Sequence, residues 1–164
     1  MKGGIMRAKL LSGIIGGVIA GMLFGMMMQM MTAPTPDGKE IPMMAMVAMI
    51  VGSSSVAVGW VYHLFNSMVI GAIFGVIFGS RATSFGSGVG LGALYGMVWW
   101  ILGALILMPV FLGMSPFAPL MMPPMRMVAV GSLMGHLIFG AALGGIFSIL
   151  KARVHSYCEL PGEQ

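Results

Sequence analysis

Polar positions along this chain are rare, and they fall in short clusters that separate four long apolar runs. The runs cover residues 10–31, about 55–80, about 88–108 and about 125–150. Each reaches the roughly 20 residues that a helix needs to cross about 30 Å of hydrocarbon. None alternates apolar and polar residues as the strands of a membrane barrel do. With the backbone's polar groups shut away from water, helices are the remaining way to span. The expected fold is therefore all-α: a polytopic bundle of four transmembrane helices forming a single membrane domain over 1–164. A fifth apolar run, 43–51, is too short to cross and is expected to lie at the interface or to re-enter. Polar or proline-rich connections fill 32–41, 81–87 and 109–124, and the polar residues 152–164 read as a tail.

The basic stretch 1–9 ahead of an apolar run resembles a signal peptide. The run is too long for an h-region, however, and Thr32-Ala33-Pro34 is no small-x-small cleavage site. A retained first helix is expected.

The two halves of the chain look alike. Gly17-Val-Ile-Ala-Gly21-Met-Leu-Phe-Gly25-Met26 corresponds to Gly88-Val-Gly-Leu-Gly92-Ala-Leu-Tyr-Gly96-Met97, with an aromatic residue at the same place. His63-Leu64 precedes Gly71 by the same interval at which His136-Leu137 precedes Gly144. Each half thus reads as one helical hairpin, about 10–80 and about 84–151. The two would be parallel repeats about an axis along the membrane normal.

Composition narrows the setting. The chain is 59% hydrophobic and 7% charged, against about 25% charged in an ordinary soluble domain, so a water-soluble monomer is excluded. The net charge of +4 comes from a few basic residues beside the apolar runs, without a basic groove. It reads as membrane topology and not as nucleic-acid binding. Lys2, Arg7, Lys9, Arg81, Lys151 and Arg153 fall at one end of the runs, and Lys39 and Arg126 at the other. This places both termini in the cytoplasm. The single Cys158 cannot form an internal disulfide and suits a reducing compartment.

Many of the 26 glycines recur every fourth position: Gly13, Gly17, Gly21 and Gly25; Gly88, Gly92 and Gly96 following Ser84; Gly71 and Gly75; Gly140 and Gly144. Small residues let helix backbones approach closely in lipid, where burying apolar surface gains nothing. These rows are expected to face neighbouring helices in a glycine zipper, leaving little room for a wide pore.

His63 and His136 interrupt two of the rows at equivalent places near mid-membrane. Polar residues there face the bundle interior and are candidate functional groups. Three roles are open: hydrogen bonding that fixes helix register, axial ligation of a b-type haem by one imidazole from each half, or metal binding and proton relay. Fifteen of the 21 methionines lie at or near the end opposite the termini. Thioethers suit Cu(I), so Met121, Met122 and Met125 with the two histidines are candidate copper ligands. Methionine is equally a flexible packing and partner-binding residue.

No phosphate-binding loop, zinc-type cluster or nucleophile motif is present, and no acidic residue lies within a run. A conventional enzyme is not expected.

The segments Gly52-Ser-Ser-Ser, Gly59-Trp60-Val-Tyr-His63-Leu64, Tyr95-Gly96-Met-Val-Trp99-Trp100-Ile-Leu-Gly103, Leu107-Met108-Pro109 and Gly135-His136-Leu137 resemble a group of small prokaryotic four-helix integral membrane proteins. The resemblance implies a multi-pass protein of the prokaryotic cytoplasmic membrane and brings no activity with it. The leading expectation is a non-catalytic accessory or assembly subunit, partnered by other membrane subunits or by a second copy. The alternatives are a cofactor or metal protein and a small-solute channel or transporter.

Overall fold

The structure is a computed structural model that describes residues 2–35 and 38–158, with side chains placed for 4–35 and 38–153. Helix α1 (Lys2–Gln29) leads to a small hairpin of β1 (Thr32–Pro34) and β2 (Glu40–Pro42). Its antiparallel register pairs Thr32 with Pro42 and Ala33 with Ile41, and Gly38 turns the chain at φ 80°. Then come α2 (Met43–Met49), α3 (Val56–Phe78), α4 (Phe85–Trp99), a π-helical segment (Trp100–Leu107), α5 (Met108–Phe111), α6 (Ala118–Met121) and α7 (Pro123–Cys158).

Four stretches are long and apolar enough to cross a membrane: Gly4–Gln29, Val56–Phe78, Phe85–Phe111 and Pro123–Arg153. The chain is an all-α polytopic bundle, as its apolar runs predict. The stretch read as a tail from 152 begins as a continuation of α7, whose backbone stays helical to Cys158. Side chains beyond 153, including His155 and Cys158, lie outside the described residues.

Glycine decides which helices touch. In the first hairpin, a Cβ on Gly13 would overlap the Gly71 carbonyl, one on Gly17 the Ser67 carbonyl, and one on Gly75 the Lys9 carbonyl. In the second, Gly88 and Gly144 lie against each other's backbones, as do Gly92 and Gly140, and Gly96 meets the His136 carbonyl. Gly21 and Gly25 are covered by side chains, those of Ser67 and Trp60. Such approaches recover dispersion contacts that a Cβ would prevent. Ser84, at the head of its row, has another task. Its hydroxyl accepts from Ser87 N–H in a capping box that starts α4.

The hairpins join unevenly. α1 packs along α7, whereas α3 and α4 approach each other sparsely. A two-fold arrangement would make these seams equal. The closed seam brings Phe24 against Gly135 and Gly16 against Leu143. The looser one is bridged towards the termini by Tyr95, whose hydroxyl donates to the Ile70 carbonyl at 2.9 Å. Its ring contacts Phe74 and Phe78. Phe74 and Phe147, both fully buried, meet edge to face in the core.

In segment 43–51, expected at the interface or re-entrant, α2 packs against one end of the bundle, while Met49 and Val51 are 45% and 50% exposed. Met43 to Ala48 are all buried, and Gly59 of α3 sits against the Met44 carbonyl. At the opposite end, Lys151 Nζ donates to the Gly79 carbonyl at 2.6 Å, which caps the C-terminus of α3.

Candidate functional site

Beyond the Tyr95 bridge, the loose seam between α3 and α4 widens into a cavity of about 300 Å³. This reaches the lower end of the roughly 300–1,000 Å³ of small-molecule sites. α3 contributes Tyr62, His63, Asn66, Ser67 and Ile70, and α7 contributes Met125, Ala129, Ser132, His136 and Phe139. Phe24 and Met28 of α1 form part of the wall, and α2 and the 109–114 segment lie along its far side. Trp99, Gly103, Ala104 and Leu107 line it from the α4 side. The last three belong to the π-helical segment, where Met108 N–H reaches back five residues to the Gly103 carbonyl. Isolated π turns within helices often mark functional sites, and this one presents small residues to the cavity.

Both intramembrane histidines reach the cavity, and each is tied to backbone. His63 Nε2 lies 2.9 Å from the Gly21 carbonyl of α1. His136 Nδ1 lies 2.7 Å from the Ser132 carbonyl one turn earlier in α7. A carbonyl oxygen only accepts, so each of these nitrogens carries the hydrogen. Every sealed side-chain nitrogen or oxygen among the described residues has a partner. The second nitrogen of each ring bonds no other described residue and is not sealed off, and both residues line the cavity.

One aromatic ring packs against both imidazoles. The Phe24 ring stands edge-on to both, at centroid distances of 5.7 Å from His63 and 4.9 Å from His136. The arrangement does not leave the space around the two imidazoles open for a macrocycle, because this ring packs against each of them. Nor does it bring the candidate copper ligands together. Met125 lines the histidine cavity, Met122 does not, and Met121 is 69% exposed away from both. Among the described residues, no three His, Cys, Asp or Glu side chains form a group that could hold a metal. A second cavity of about 120 Å³ does gather methionines from separate segments: Met46, Met49, Met114, Met122 and Met125.

The two adjacent tryptophans have different roles. Trp100 Nε1 donates to the Ala129 carbonyl and the Ser132 hydroxyl, tying the π-helical segment to α7. Trp99 lines the cavity and packs against Tyr95. The place of Phe24 against the histidines is not evident from the sequence, although its match to Tyr95 in the other half signals that the position matters. In comparisons with known proteins, no protein family, no curated protein and no solved structure matches this chain.

Proposed function

We propose that this chain is a membrane-embedded binding protein for a lipid-soluble small molecule, which reaches its site sideways from the bilayer between α3 and α4. The observation that carries this reading is the cavity itself: apolar walls, a few convergent polar groups, and a position at the seam that the helices leave loose. The described lining residues include no Asp, Glu, Lys or Arg. That favours binding or presentation over acid–base chemistry, and so an accessory protein over an enzyme. The setting is the prokaryotic cytoplasmic membrane with both termini cytoplasmic. The six basic residues at the terminal end and the two at the other support the orientation, and the resemblance noted from the sequence supports the prokaryotic membrane. The matched glycine contacts of the two hairpins support their origin as a duplicated unit whose copies have diverged at one seam.

The test is native mass spectrometry of protein extracted gently from its own membranes, compared with Ala104→Phe, which fills the cavity from the π-helical side. A stoichiometric apolar mass on the wild type that is missing from the variant is expected. Equal ligand-free masses from both would overturn the reading.

A second reading rests on the methionine-lined cavity. Thioethers from several segments around one small space suit a soft monovalent cation such as Cu(I). Elemental analysis after Cu(I) loading and gel filtration tests it. Retention in the wild type and loss in Met46→Leu with Met125→Leu are expected; no retention in either removes this reading.

A further inference from the structure

The polar part of the lining has a consistent sense. His63 gives its ring hydrogen to the Gly21 carbonyl and His136 gives its own to the Ser132 carbonyl. The Ser67 hydroxyl donates to the His63 carbonyl at 2.8 Å, and the Ser132 hydroxyl to the Ala129 carbonyl at 2.7 Å. Four side chains on the α3 and α7 walls therefore spend their hydrogens on backbone. What each of them has left for the cavity is a lone pair. Tyr62 and Asn66 are the described lining groups that still have a hydrogen to give, because the Trp99 indole is engaged with Tyr95. A molecule whose polar head rests against the two histidines must bring its own donors, because two acceptors placed together without a hydrogen leave both unsatisfied.

Charge restricts the class further. With no ionised side chain among the described lining residues, a phosphate or carboxylate head would lack a countercharge, and so would a fixed ammonium. The rest of the cavity is sulfur, aromatic ring and aliphatic chain, with Phe24, Met28, Trp99 and Phe139 around the histidines. These surfaces suit a flat ring with a hydrocarbon tail.

We infer that the cavity selects a neutral, lipid-soluble hydroxyl compound of the phenol or hydroquinone class, whose O–H groups donate to His63 Nδ1 and His136 Nε2. This rests on the reading of the cavity as a ligand site, and it goes further in fixing the direction of the hydrogen bonds. A hydroquinone fits and donates. The corresponding quinone has the same shape but only accepts, and the dimethyl ether of the hydroquinone keeps the oxygens without their hydrogens.

Those three compounds, with one common alkyl tail, are the probes. Purified protein in lipid nanodiscs is titrated with each under argon and followed by calorimetry. The hydroquinone is expected to bind at least roughly tenfold tighter than the quinone and the ether, the order of discrimination that one unsatisfied buried acceptor brings. His136→Phe is expected to reduce that preference several-fold while the tail still binds. If that variant does not fold, the three-probe comparison on the wild type decides alone. Equal affinity for all three compounds would overturn the inference and leave the ligand site standing. Binding of none would overturn both.

Discussion

Replacing Gly92 by alanine puts one methyl group where α4 and α7 are in backbone contact. The added Cβ would overlap the Gly140 carbonyl oxygen, and would lie 2.9 Å from its carbon and 3.0 Å from Gly144 N. Ordinary van der Waals contact begins near 3.4 Å, so the helices must part by at least about 0.5 Å, and by more for the oxygen. A gap of 0.5–1 Å forfeits a quarter to a half of each contact's roughly 0.1–0.2 kcal/mol. Over a few tens of atom pairs, the loss comes to roughly 1–3 kcal/mol, the usual scale of overpacking. Gly90, two residues away on the same helix, has nothing within 4 Å of its added Cβ. Alanine there should be neutral, or stabilising by up to about 1 kcal/mol through helix propensity. Unfolding in mixed micelles titrated with a denaturing detergent, followed by circular dichroism, measures both variants on one scale. Gly92→Ala should be less stable than Gly90→Ala by about 2 kcal/mol or more. Agreement between them within about 0.5 kcal/mol would refute the argument that backbone contact holds this hairpin.

Other substitutions test other parts of the structure. Phe147→Ala removes a fully buried ring at the Phe74 contact and should cost about 3–5 kcal/mol. Phe65→Ala, at a residue 56% exposed on the outer surface of α3, should cost under about 1 kcal/mol by the same titration. Lys151→Met loses the cap on Gly79 and should cost about 1 kcal/mol. It should also speed amide exchange over the last turn of α3, with no change near α2. Trp60→Phe loses the 2.9 Å bond to Gln29 and the outer edge of the indole that covers Gly25, at a cost of roughly 1–3 kcal/mol.

The parts of this architecture that could be read in the sequence are those fixed by a single helix. Span lengths follow from uninterrupted apolar runs. The rows at Gly13, Gly17, Gly88 and Gly92 mark contact faces because four-residue spacing puts them on one side of a helix. The interior placement of His63 and His136 follows from the same geometry. Features that depend on two helices at once could not be read in this way. Met43 to Ala48 are apolar on every side, and lipid and protein interior are equally apolar, so composition could not tell burial within the protein from an interfacial position. Phe24 and Tyr95 occupy matching places, yet one packs against both histidines and the other bridges to Ile70. That divergence arises from the unequal seams, which no periodicity records. The π-helical turn at Trp100–Leu107 is likewise hidden, since a wholly apolar stretch carries no mark of its hydrogen-bond register.

The account rests most heavily on a cavity that admits molecules from the bilayer between α3 and α4. Trp99 lines it, and Trp60→Phe with Trp100→Phe leaves Trp99 as the sole indole. Quenching of that indole by a brominated alkane, in nanodiscs at fixed lipid, reads the cavity directly. Saturable quenching that disappears in Ala104→Phe is the predicted result. Quenching that rises linearly with bromoalkane and is the same in both proteins would mean that Trp99 meets only bulk lipid, and would contradict the account.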